Sequence, residues 1–167
     1  GIIAGNIVNR SFGSGVIVFT GAHQEYRYTD KIDSHVANFP LTRVHIMQNK
    51  TVDTALGVND YGGFSLWQGG VQYCYNNNIG NSPGVMPAGI AWFNTPPRNL
   101  SYPLYLDGAY KIYSFNNVVW ARSNNADKDK YATSTPGYFM VFGFLNQLSN
   151  NTFYRTGEGV GGSAGHR

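Results

Sequence analysis

The chain has 167 residues, 42% of them hydrophobic and only 13% charged, so one domain with a sizeable core is the default. Aromatics reach 15%, with 18 Asn and 21 Gly against two Glu and five Lys, which excludes a coiled coil, a charged helical bundle and a disordered charged tail. The net charge of +3 is scattered, with no run of Lys and Arg to follow a nucleic-acid backbone, and a single Cys74 forbids an intrachain disulfide.

Residues 1–15 alternate apolar and small side chains, as an edge strand or a connection would. From there short runs rich in β-branched and aromatic residues recur, separated by Gly, Asn and Pro, and helical periodicity is absent. Strands are expected near residues 16–20, 25–29 and 43–48. His23 and Glu25, at the start of the second of these, lie two apart on one face, like part of an iron site. The other histidines, His35, His45 and His166, are badly spaced to complete it.

Residues 64–68 and 71–76 read as two strands joined at Gly69-Gly70 by a hairpin turn. That register places Phe64, Leu66, Tyr73 and Tyr75 on a core face, with Trp67, Gln72 and Cys74 on the other. Trp67 is then an aromatic platform for a sugar ring or an apolar receptor group. The following loop carries Asn76, Asn77 and Asn78, whose amides pair a donor with an acceptor, as sugar hydroxyls require. Another strand is expected at residues 89–94, followed by a loop bearing Arg98 and Asn99.

Residues 109–115 and 118–122 suggest a second hairpin, turning at Asn116-Asn117, residues that tolerate positive φ. It would pair Tyr113 with Trp120 and Lys111 with Arg122, an aromatic and cationic face suited to an acidic sugar. Asn125, Asp127 and Asp129 alternate like a calcium loop, but Lys130 and Pro136 replace its Gly and its final Glu. Strands at 138–146 and 152–155 complete the set. Residues 157–167 hold five Gly and no strand pattern, as a mobile tail or linker would. No repeat of fixed length is visible, which argues against a propeller or a solenoid.

These signals predict an all-β, single-domain, antiparallel β-sandwich of jelly-roll type over residues 1–156. No nucleophile elbow, phosphate loop or paired catalytic carboxylates stand out, so an enzyme is not expected, nor a cofactor or metal. The expected role is attachment: a lectin-like or virion surface module that binds a glycan or cell-surface receptor. The candidate ligand contacts are Trp67, Gln72, Asn76, Asn77, Asn78, Arg98, Asn99, Trp120, Arg122, Asn125 and Asp127. No nucleic-acid partner and no membrane insertion are expected. Homo-oligomers, with a trimer as one form, and an extracellular or virion location complete the expectation. Alternatives are a jelly-roll coat subunit and a polysaccharide hydrolase.

Overall fold

A computed structural model describes residues 1–19, 43–58, 61–69, 71–84, 101–121, 137–141, 143, 145–156 and 160–163. Among them lie fifteen strands. The first six are β1 (Ile2–Ala4), β2 (Ile7–Asn9), β3 (Val16–Phe19), β4 (Val44–Met47), β5 (Lys50–Val52) and β6 (Tyr61–Gly69). Then come β7 (Gln72–Tyr75), β8 (Asn78–Ile79), β9 (Ser101–Ala109), β10 (Ile112–Phe115) and β11 (Val118–Trp120). The last four are β12 (Tyr138–Val141), β13 (Gln147–Ser149), β14 (Thr152–Tyr154) and β15 (Val160–Ser163).

Every third strand joins the same sheet. One five-stranded sheet runs β1-β4-β7-β10-β13, a second β2-β5-β8-β11-β14 and a third β3-β6-β9-β12-β15. All pairings are parallel. The chain therefore winds through three sheets per coil for five coils, which is a parallel β-solenoid. At about 4.8 Å per coil the stack is roughly 24 Å tall.

This corrects the antiparallel jelly-roll sandwich. Alternation along a strand reports which side chains share a face, and it is the same for parallel and antiparallel neighbours. The expected core face of residues 71–76 is reversed: Gln72 and Cys74 point inward and Tyr73 and Tyr75 outward, because the inward columns are set by the strands of the coils before and after. Neither expected hairpin forms. β6 pairs with β3 and β9, while β7 pairs with β4 and β10. β10 and β11 lie in different sheets, so Asn116-Asn117 is a corner, and Tyr113 and Trp120 are not cross-strand partners. The solenoid excluded on the lack of a fixed repeat is the fold observed, and β15 lies within the segment expected to carry no strand. The expected strands at 25–29 and 89–94 fall outside the described residues.

Inward side chains stack coil upon coil. In the third sheet Val16, Phe64, Leu104 and Tyr138 form one column and Val18, Leu66, Leu106 and Met140 the next. Ile46 and Cys74 in the first sheet, with Ile79 and Val119 in the second, close the core from the other sides. Phe64, Leu66, Leu104, Leu106, Ile46, Ile79, Ile112 and Val119 are completely buried. Each contributes about 1.5–3 kcal/mol of hydrophobic stabilisation.

The corner between the first and second sheets has its own device. Gly5, Gln48, Asn76, Asn116 and Asn150 all have φ between 52° and 70°. Each turns the chain and is followed by an asparagine: Asn6, Asn49, Asn77, Asn117 and Asn151. These five stack into a ladder. The Nδ2 of Asn6 donates to Oδ1 of Asn49 (2.8 Å), and that of Asn49 to Oδ1 of Asn77 (3.1 Å). Nδ2 of Asn77 donates to Oδ1 of Asn117, and Nδ2 of Asn117 to Oδ1 of Asn151, both at 2.9 Å. Each backbone N–H of the first four also donates to the next Oδ1, at 3.0 Å. The second Nδ2 proton reaches back to the preceding coil: Asn49 to Ile3 O, Asn77 to Ile46 O, Asn117 to Cys74 O and Asn151 to Ser114 O. Polar groups that a tight corner would orphan are thus satisfied in a closed, directional network.

Candidate functional site

All three outer faces carry aromatic side chains, and those of the first and third sheets form clusters. On the first sheet His45, Tyr73 and Tyr113 stack with ring centroids 5.0 and 5.2 Å apart and planes within 15°. Beside them Tyr75 stacks on Phe115 at 4.9 Å and 2°, and the Tyr75 hydroxyl donates to Met47 Sδ. In-register parallel strands dictate this, because identical positions recur one coil apart. Such stacking consumes the ring faces and leaves mainly edges to solvent, so this surface stiffens the sheet more than it offers a platform.

The third sheet differs. Its outward positions form two rows, Ile17–Ser65–Tyr105 and Phe19–Trp67–Asp107. Ser65 is small and sits between two bulky neighbours, so its position becomes a depression. Its Oγ is held by the Ser14 hydroxyl at 2.8 Å and by the N–H of Gly62 at 2.9 Å. The result is a groove of about 200 Å³ with Ser65 and Leu66 at its floor. Tyr61, Ile17 and Tyr105 form its apolar walls, while Trp67 and Asp107 flank it. Trp67 is 37% exposed and its ring meets Phe19 at 5.4 Å, tilted by 45°. Tyr105 packs beside Tyr102 at 5.4 Å. Gly62 allows this approach: a Cβ there would stand 2.7 Å from Tyr105 Cβ and 2.9 Å from Tyr102 O.

The sequence-derived contacts do not gather at one place. Trp67 lies on the groove. Gln72 is fully buried, because it continues the inward column of Val44 and Ile112. Asn77 is 2% exposed and is a ladder rung, so its amide is consumed by structure. Asn76 is the exposed left-handed corner residue. Asn78 and Trp120 meet on the outer face of the second sheet, where the indole Nε1 donates to Asn78 Oδ1 at 2.8 Å. They belong to a different face from Trp67. Arg98, Asn99, Arg122, Asn125 and Asp127 lie outside the described residues, as do His23, Glu25 and Asp129.

Tyr61, Ile17, Tyr105 and Asp107 were missed as site residues. Their signal is residue type at outward positions of adjacent parallel strands, and it becomes readable only once the coil register is known. No family model, no curated protein and no solved structure matches this chain. Among the described residues no three His, Cys, Asp or Glu converge as a metal site. Cys74 is buried, and burial pushes its thiol up to about 12, so it stays protonated in the folded protein.

Proposed function

We propose that this protein is a glycan-binding attachment module whose contact surface is the outer face of the third sheet. The observation that carries the reading is the groove where exposed Trp67 stands beside Tyr61, Tyr105 and the Asp107 carboxylate. An indole face and phenol rings supply apolar contact for the C–H face of a sugar, and a carboxylate accepts hydrogen bonds from vicinal hydroxyls. Asp107 lines this groove, and a carboxylate oxygen accepts hydrogen bonds from the hydroxyls of a neutral glycan. Strands of the solenoid hold the residues, so little ordering entropy is lost on binding. A single site of this size supports millimolar to micromolar affinity, and attachment gains strength from several copies acting together. Surface display outside the cell or on a virion fits that use.

A glycan array followed by calorimetry on the best ligand tests this. Trp67→Ala should weaken binding at least tenfold, about 1.4 kcal/mol, with a melting temperature within a few degrees of the parent. Asp107→Asn should weaken it less while leaving apolar contact intact. Silence across neutral glycans, or binding that survives Trp67→Ala, would discard the reading.

A further inference from the structure

We propose that the outer face of the second sheet is a second, separate carbohydrate site, which takes a carboxylate-bearing oligosaccharide, a uronic-acid oligomer, across the indole of Trp120. The coil before it holds that indole in place. Its Nε1 donates to Asn78 Oδ1 at 2.8 Å. Gly80 is the second support, standing opposite Trp120 when the β8–β11 register is carried on by one residue. A Cβ at Gly80 would lie 2.6 Å from Trp120 Cζ2 and 2.8 Å from Cε2, so the missing side chain is what lets the ring sit there. Nε1, Cε2 and Cζ2 form one edge of the indole. That edge is seated and the ring has one orientation, while the residue stays partly exposed. A pre-set ring loses little freedom on binding, and its apolar surface suits the C–H face of a sugar.

Polar groups gather around the ring. Asn78 Oδ1 is engaged by the indole, and Asn78 Nδ2 meets no acceptor among the described residues, so an exposed donor stands beside Trp120. On the following coil Tyr154 is the register partner of Trp120 and is 58% exposed. The Arg155 guanidinium lies 5.6 Å from the centre of the Tyr154 ring. On the coil before Asn78, exposed Lys50 is its register partner.

The charges on this face select the ligand. Its described outward positions hold Lys50 and no Asp or Glu, and Arg10 and Arg155, both exposed, stand at the corner toward the third sheet. Asp53 at the same corner accepts from Asn81 Nδ2 at 3.0 Å. A guanidinium pairs with a carboxylate through two parallel hydrogen bonds, and an ammonium adds a point charge. Lys50 lies in the second coil and Arg155 follows the strand of the fifth, roughly 14 Å away along the axis at about 4.8 Å per coil. That span asks for several sugar units. Three cations on three different coils are too sparse to track a nucleic-acid backbone, which is charged at every unit. The face is separate from the groove on the third sheet, and the inference does not rest on that groove.

Calorimetry with oligomers of galacturonate, glucuronate and mannuronate, each beside its methyl ester, tests it. At least one acid oligomer should bind about fivefold or more tighter than its ester, and the difference should shrink between about 0.05 M and about 0.5 M salt. Trp120→Ala should weaken that binding at least about tenfold. Asn78→Asp keeps an acceptor for the indole but sets a negative charge where the donor stood, so it should weaken the acid oligomer about tenfold and its ester less. Arg155→Gln, at an exposed side chain, should erase most of the preference for acid over ester. Trp67→Ala, on the other face, should change neither. Circular dichroism and melting check that each variant folds, and the Asn78 and Arg155 variants decide the matter if Trp120→Ala does not fold. No binding of any uronate, equal binding of acid and ester, binding indifferent to Trp120 and Arg155, or a loss on Trp67→Ala would each overturn the proposal. So would Trp120-dependent binding of oligothymidine in place of the uronates.

Discussion

Asn77 is the rung on which the ladder can be measured. Asn77→Ala removes the acceptor of the Asn49 N–H (3.0 Å) and the donor to the Ile46 carbonyl (2.8 Å), both in the interior. Asn117 Oδ1 keeps a donor, because the main-chain N–H of residue 77 still reaches it at 3.0 Å. Two buried groups are thus left without partners, and at about 1–3 kcal/mol each the loss is about 2–6 kcal/mol. Asn6→Ala provides the contrast. It deletes the bonds to Ala4 O and to Asn49 Oδ1, the second of which still accepts the N–H of residue 6, and the site is open to water. Its cost should stay below about 1 kcal/mol. Urea unfolding followed by circular dichroism gives both values. With a slope of about 2 kcal/mol per molar, the Asn77→Ala midpoint should fall by about 1–3 M. Equal midpoints for the two variants, within about 0.3 M, would show that the ladder is an ornament of the corner and not a support.

Other outcomes follow from the same geometry. Gly62→Ala would press its Cβ against the carbonyl oxygens of Phe64 and Tyr102 and against Tyr105 Cβ, so it should cost about 1–3 kcal/mol and weaken ligand binding at the groove. Native-state titration with a thiol reagent at pH 8 should leave Cys74 unmodified until urea unfolds the chain; prompt reaction would contradict its burial. Burial raises Cys74 to about 12 and also raises Tyr138. The unfolded chain ionises these groups near pH 8.5 and 10, so their contribution is fully present below those values and is lost as pH rises through the folded ones. Stability should therefore decline from about pH 8.5 upward, and Cys74→Ala should remove the first part of that decline. A flat profile to pH 11 would refute this. Phe64→Ala should cost about 3–5 kcal/mol in the same urea assay.

The sequence was legible where local chemistry decides. Scarce Glu and Lys, β-branched runs and Gly and Asn punctuation announced an all-strand protein, and the expected strands near 16–20, 43–48 and 152–155 match β3, β4 and β14 closely. Trp67 was recognised as an outward aromatic for the same reason: its neighbours Phe64 and Leu66 alternate correctly whatever pairs beside them. The repeat was hidden because the rungs are separated by 43, 28, 40 and 34 residues. Loops of unequal length interrupt the coils. Aligning the asparagines instead of counting a period would have exposed it. Ile3, Ile46, Cys74, Ser114 and Leu148 each stand three residues before a rung, and Val8, Thr51, Ile79, Val119 and Phe153 two residues after.

What the residues determined by themselves was the period of two along each strand and the places where the chain must turn, but not always which of the two faces is inward: Tyr73 and Tyr75, expected in the core, stand outside, and Gln72 and Cys74 are buried. Alternation and a left-handed backbone at Asn76 or Asn116 are properties of one strand and one corner. Whether that corner leads back along the same sheet or onward to a second sheet is decided by which distant strand supplies the next row of hydrogen bonds. Only the tertiary structure settled this, since the Asn77 amide finds its partners 31 residues before it and 40 residues after it. The groove has the same origin, because Ile17, Ser65 and Tyr105 become neighbours only through the parallel register of three coils.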